Sequence, residues 1–150
     1  MPASPEKIFS YVDDHRKFSI HMSKPSWVMG GGKMAVQTDE GHGQRVGSHM
    51  RLNGKVFGIN LFLDEVVTKR EPPYVKTWES VGNLNLLVIG NYRMGLMIKP
   101  EGGGSVFRVL IDYELPGTAK TRWLGFLFGK LYAKWCVRQM LKDTGRYFAK

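Results

Sequence analysis

The segment that most constrains this chain is its C-terminal end. From Thr121 to Ala149 the sequence reads TRWLGFLFGKLYAKWCVRQMLKDTGRYFA, one long helical pattern behind a succession of strand-like segments. Leu124, Leu127, Phe128, Leu131, Trp135 and Cys136 recur at three- and four-residue steps, which puts them on one helical stripe. Lys130, Lys134, Arg138, Lys142 and Arg146 recur every four residues on another side. A long helix closing onto a single antiparallel sheet, apolar stripe inward, encloses an apolar space. That geometry points to a cavity rather than to a catalytic loop.

The chain ahead of it divides at turn signals. Ser4 suits a helix N-cap, Pro5 the first helical position and Glu6 the helix dipole, and Ile8, Phe9 and Val12 form an apolar stripe running to about His15. A second short helix is expected over Arg16 to Met22, and Gly30-Gly31-Gly32 reads as a flexible break. Strands are expected over Lys33 to Asp39, Val46 to Leu52, Lys55 to Lys69, Tyr74 to Ser80, Leu84 to Lys99 and Ser105 to Leu115. The reversals between them fall at Gly41-His42-Gly43, Asn53-Gly54, Pro72-Pro73 and Gly102-Gly103-Gly104. Alternation turns Phe107, Val109, Ile111, Tyr113 and Leu115 toward the helix, and Val88, Gly90, Tyr92, Met94, Leu96 and Ile98 inward in the strand before. Between Val56 and Val67 both faces are apolar. The reading turns Ile59, Leu61, Leu63, Glu65 and Val67 inward, and the opposite choice, with Asp64 inside, stays open. No repeat or linker interrupts the pattern, so residues 1–150 form one domain.

Charge separates the helix from the rest. The net charge is +9, and from Pro116 onward eight Lys or Arg face one acid, Asp143, so that +7 of it belongs to the terminal segment. Those side chains serve either as a solvated helix face or as an attraction to anionic lipid or an acidic partner. No recognition-helix motif or aromatic-basic platform accompanies them, so nucleic acid is not an expected partner. The longest uncharged run, Ser80 to Tyr92, is broken by Asn and Gly and is too short for a membrane span. No basic-then-apolar leader is visible. A single cysteine, Cys136, rules out an internal disulfide and fits a reducing compartment. The expectation is a cytoplasmic domain, with peripheral contact at a membrane as the variant.

Motifs for ready-made chemistry are missing. His15, His21, His42 and His49 show no metal-ligand spacing and read as surface or hairpin histidines; no metal and no cofactor is expected. Gly32-Lys33 is followed by Met34, not by the Ser or Thr of a phosphate loop. There is no G-x-S-x-G elbow, and Ser48 and His49, neighbours on a strand, point to opposite faces. What remains is acid–base work inside a cavity, for which Glu65, Tyr92 and Tyr113 are the candidates.

The opening helix PASPEKIF, the β-meander, the last strand IDYELP and the long helix together resemble the START/Bet v 1-like (SRPBCC) superfamily, often described as polyketide cyclase/dehydrase and lipid transport. WESVGNLNLLVIGNYRMG and YAKWCVRQM are similar to an uncharacterised bacterial branch of it. The resemblance covers nearly the whole chain and rests on the order of elements more than on any single motif. It implies an α+β helix-grip fold, a curved antiparallel sheet of about six strands around the C-terminal helix. It also implies a cavity that takes sterols, lipids, polyketides, plant hormones or quinone-like molecules, with cyclisation or dehydration in some members.

On that basis the expected function is binding or carriage of a small hydrophobic ligand (a lipid, an isoprenoid or an aromatic polyketide-like molecule). Leu61, Trp78, Tyr92, Met94, Tyr113, Phe128, Leu131 and Trp135 are the expected lining. The alternatives are a cyclase or dehydratase using Glu65, Tyr92 or Tyr113, and an interaction protein that docks through its basic helix. One departure from the family pattern stands out: only Met1 precedes Pro2, where members carry a first strand. Its absence predicts an open edge on Ser105 to Leu115, and either a homodimer through that edge or a strand supplied from upstream residues.

Overall fold

Proline at the first turn and an apolar stripe at Ile8, Phe9 and Val12 set the opening helix, and a computed structural model, which describes residues 1–20 and 32–149, places α1 over Pro5–Val12 with all three buried. Ser4 takes the extended N-cap conformation, though its side chain makes no cap bond. The helix stops at Val12, short of His15. Asp14 then caps a separate turn, α2 (His15–Phe18), by accepting from the Arg16 backbone at 3.2 Å. Met22 and the Gly30-Gly31 part of the expected break lie outside the described residues.

The sheet follows the meander read from the turns: β1 (Lys33–Thr38), β2 (His49–Val56), β3 (Ile59–Glu71), β4 (Val75–Asn85), β5 (Tyr92–Glu101) and β6 (Gly104–Tyr113) pair antiparallel in sequence order. The Pro72-Pro73 and Gly102-Gly103 reversals hold. Asn53-Gly54 is not a turn. It sits inside β2, where Gly54 pairs with Met34, and a Cβ there would lie 2.5 Å from the Lys33 carbonyl, so glycine admits the neighbouring backbone. The reversal falls instead at Phe57-Gly58, both with positive φ (50° and 78°), the signature of a tight two-residue hairpin. The expected strand Leu84 to Lys99 also divides. Leu84 and Asn85 end β4, and residues 86–91 form a loop held by Gly90 N–H to the Glu114 carbonyl and Glu114 N–H to the Asn91 carbonyl, both 2.8 Å. The apolar run Leu86 to Ile89 is therefore loop, not strand.

Alternation along the strands places the core. Leu61, Leu63, Glu65 and Val67 of β3, Lys76 and Trp78 of β4, and Tyr92, Met94, Leu96 and Ile98 of β5 are buried on the concave face. Ile59, on the same face, is exposed because it sits at the open hairpin end. Trp78 alone removes an area that contributes about 4–6 kcal/mol before entropy costs.

A buried ion cluster pins the helices to this face. Asp13, at the end of α1, accepts from Arg70 Nη2 at 2.8 Å and from Lys76 Nζ at 3.0 Å, and the same Nζ reaches the Asp13 carbonyl at 2.9 Å. Burial opposes ionisation of Asp13, but the Arg70 hydrogen bonds and the Lys76 charge outweigh it and hold the carboxyl below its ordinary range.

The long helix, α3 (Ala119–Phe148), turns a different side inward from the one its large side chains predict. Its buried residues are Gly125, Gly129, Ala133, Cys136, Met140 and Thr144. Of the predicted stripe only Cys136 is buried; Leu124 and Trp135 are half-buried, while Leu127, Phe128 and Leu131 are 57%, 47% and 60% exposed. The reason is distance. A Cβ on Gly129 would lie 3.0 Å from the Val88 carbonyl and 3.2 Å from the Tyr113 ring, so the loop at 86–91 and β6 leave room only for small residues.

At the far end of the sheet β6 pairs with β5. On its other side Met1 forms a one-residue bridge to Ser105, through Met1 N to the Ser105 carbonyl at 2.7 Å and Ser105 N–H to the Met1 carbonyl at 3.0 Å. No further partner strand appears among the described residues.

Candidate functional site

Glu65 is the centre of the concave face. Its position follows from period-two alternation with Leu61, Leu63 and Val67, which commits it to the interior at 4% exposure. Neighbouring strands then supply partners in register. Glu65 pairs with Ser80 on β4, and Ser80 Oγ accepts the Tyr92 backbone N–H at 2.9 Å, so the three form a row across β3, β4 and β5. Tyr92 Oη donates to Glu65 Oε1 at 2.5 Å, and Trp78 Nε1, two residues before Ser80 on β4, donates to the same oxygen at 3.1 Å.

The second oxygen differs. Glu65 Oε2 lies 2.9 Å from His15 Nε2, close enough for an ion pair when the imidazole is protonated. The contact is not aligned as a hydrogen bond, and Oε2 receives none from the described residues. His15 comes from α2, 3% exposed, with its ring edge-on to Trp78 at 5.6 Å.

Glu65, His15 and Tyr92 line a small chamber of about 40 Å³, bordered also by Ser19, Tyr132 and Cys136 and by apolar side chains such as Leu52, Leu63, Met94 and Ile111. Leu86, Ile89 and Tyr132 border both this chamber and a larger one of about 350 Å³. The outer chamber opens between the β2–β3 hairpin, the loop at 86–91 and the first half of α3. Its lining includes Val56, Phe57, Leu61, Val88 and Leu124, and among the described residues Tyr132 is the one lining side chain that carries a polar group. The volume is at the lower end of the small-molecule range. The two chambers thus share Leu86, Ile89 and Tyr132 as a common border, and the inner one carries a single carboxyl group, that of Glu65.

Protonation follows from burial. Burial, then the Glu65 charge, raises the Tyr92 hydroxyl well above its ordinary value, so it stays a donor at neutral pH. Burial, with Cys136 nearby, does the same for Tyr132. The Cys136 thiol is pushed up to about 12 by burial, which makes it a poor nucleophile. Among the described residues, no group of three or more His, Cys, Asp or Glu is placed to hold a metal ion.

The architecture matches solved structures over almost its full length. A Thermus thermophilus protein, TTHA0849, superposes with a TM-score of 0.65 at 19% identity, covering 96% of this chain and 88% of the other. Ara h 8.0201 gives 0.61 at 12%, covering 97% and 90%. A Thalictrum norcoclaurine synthase point mutant, solved with a transition-state analogue, gives 0.51 at 13%, covering 94% and 89%. The chain has a helix-grip, Bet v 1-like fold. No protein-family model matches it, and no curated protein does. At such identities the likeness establishes the fold, and one fold hosts many activities.

Within this helix-grip cavity the structure brings together Glu65, Trp78, Tyr92 and Met94, with Leu61 in the outer chamber. Tyr113 stands apart: half-buried, it packs its ring on Gly129 and borders a surface cleft with Glu79, Arg93 and Glu114. Phe128 and Leu131 point outward, and Trp135 packs beside Tyr132 with ring centroids 6.0 Å apart. Sequence reasoning missed His15, Tyr132 and the loop residues Leu86, Val88 and Ile89. His15 is interior rather than a surface histidine, and it continues the Ile8–Val12 stripe at helical spacing, a legible signal. His42 is exposed, His49 bonds Asp64 at 3.0 Å, and His21 lies outside the described residues.

Proposed function

We propose that this protein binds or carries a small, largely apolar molecule with a hydrogen-bond-donating head, such as a hydroxylated lipid, isoprenoid or polyketide-like aromatic. The body fills the outer chamber and the head reaches Glu65. The observation that carries this reading is Glu65 Oε2, a buried carboxyl oxygen beside the inner chamber with no hydrogen-bond donor from the described residues. Such an oxygen costs stability until a donor meets it, so a ligand that supplies one is favoured. The synthase neighbour, solved with a transition-state analogue, supports ligand occupancy as a use of this fold.

Native mass spectrometry and solvent extraction of the purified protein test for a co-purifying molecule. Titration with decanol and decyl methyl ether tests the head-group claim. The alcohol should bind roughly tenfold more tightly, and Glu65→Gln, which keeps one acceptor oxygen for Trp78 and Tyr92 and puts an NH2 donor in place of Oε2, should erase or reverse that preference. Equal binding of both probes to the wild type would defeat the reading.

The His15–Glu65 contact supports a second reading, a cyclase or dehydratase that moves a proton through Glu65, His15 or Tyr92. Incubation of the extracted molecule with protein separates the two. A product of changed mass that disappears with His15→Gln, while binding persists, favours the enzyme; recovery of the molecule unchanged favours carriage.

A further inference from the structure

A globular helix normally hides its large apolar residues and shows its small and charged ones. In α3 the first half does the reverse. Gly125, Gly129 and Ala133 meet the protein, whereas Trp123, Phe126, Leu127 and Leu131 are 57%, 78%, 57% and 60% exposed. An apolar patch of this kind marks an interaction surface. Lys120, Arg122, Lys130, Lys134 and Arg138 are exposed along the same stretch, and no Asp or Glu occurs between Pro116 and Lys142. At about 100° per residue, Trp123, Leu127, Lys130 and Lys134 share an arc of about 60°, roughly opposite the buried glycines.

We propose that this face of α3, with the tip of the β2–β3 hairpin, docks the protein on an anionic lipid surface. Three features select that occupant. A cationic rim around aromatic and aliphatic side chains is the pattern of helices that lie in the membrane interface, where Lys and Arg reach headgroups while Trp, Phe and Leu enter the acyl boundary. A second copy fits poorly, because a two-fold interface would bring one uncompensated basic face against another. The patch also adjoins the outer chamber, since Leu124 of α3 and Phe57 of the hairpin line it together. Phe57 is 77% exposed and holds φ +50°, an unfavourable conformation for a bulky side chain, with its ring turned to solvent beside the cavity. Docking there sets the chamber mouth against the bilayer. No described helix is long and apolar enough to cross it. The proposal does not depend on what fills the cavity.

The test is co-sedimentation of the whole chain with vesicles of phosphatidylcholine alone and with added phosphatidylserine, at low and high salt. Anionic vesicles should be preferred roughly tenfold or more, with binding that weakens as salt rises. Lys130→Gln/Lys134→Gln/Arg138→Gln should lose about tenfold or more and flatten the salt dependence. Trp123→Ser/Phe126→Ser, both solvent-facing and expected to leave the circular dichroism melt intact, should lose about tenfold. Brominated acyl chains should quench part of the tryptophan emission in the wild type and less in Trp123→Phe. Equal binding to both vesicle types, or a folded Trp123→Ser/Phe126→Ser variant that binds as before, would overturn the proposal. So would a dimer that this variant splits, in a wild type that ignores vesicles, or equal retention of a single-stranded oligonucleotide.

Discussion

Alanine at Gly125 and alanine at Gly145 should move stability in opposite directions, because they test which side of α3 touches the protein. In a helix interior Gly→Ala ordinarily gains about 1 kcal/mol. At Gly145 a Cβ meets nothing within 4 Å, so the full gain is expected. At Gly125 the new Cβ overlaps Pro116 Cδ and comes 2.9 Å from the Val88 carbonyl. A proline ring and a backbone oxygen yield less readily than the end of a flexible side chain, so an overpacking cost of about 1–3 kcal/mol opposes the propensity gain. The net expectation is a loss of up to about 2 kcal/mol for Gly125→Ala against a gain of about 1 for Gly145→Ala, a separation of about 1–3 kcal/mol. For a domain of this size each kcal/mol shifts Tm by about 2–4 °C. Thermal melts and urea unfolding read both. If Gly125→Ala stabilises as much as Gly145→Ala, the small-residue face does not abut the loop at 86–91, and the outward patch of large side chains loses its basis.

Asp13→Asn should cost about 3–5 kcal/mol in urea unfolding, because it leaves Lys76, wholly buried, facing a neutral partner. Asp13 also governs acid sensitivity. Its folded pKa is depressed, so the unfolded chain takes the proton first as pH falls, and stability contributed above about pH 4 drains away below it; Asp13→Asn should flatten that part of the curve, and an unchanged acid limb would refute the assignment. Cys136, 6% exposed with its thiol at about 12 and the sole cysteine, should react with a thiol reagent at pH 8 only as fast as the protein unfolds, so rapid labelling of the native state would count against its burial.

Local rules of the chain determined a good deal. Proline and glycine pairs marked the reversals at Pro72-Pro73 and Gly102-Gly103, and period-two alternation turned Leu61, Leu63, Glu65, Tyr92 and Met94 inward, because a strand's side chains alternate whatever lies above them. The 3.6-residue period made α3 a helix. Tertiary structure decided what those rules leave open. Asn53-Gly54 satisfies a turn, but it also satisfies a strand where another backbone must approach, and only the neighbour at Lys33 distinguishes them. Leu86 to Ile89 is apolar enough for a strand, yet the Gly90 N–H bond to the Glu114 carbonyl and the Glu114 N–H bond to the Asn91 carbonyl hold it as a loop over the cavity. The candidate site joins His15, Glu65, Trp78 and Tyr92 from four elements, and no local pattern encodes which of them meet. Periodicity also cannot rotate a helix. Both the large stripe and the Gly125–Gly129–Ala133 stripe recur at helical spacing, and the narrow gap beneath Val88 and Tyr113 admits only the small one, which turns Trp123, Phe126, Leu127 and Leu131 to the outside.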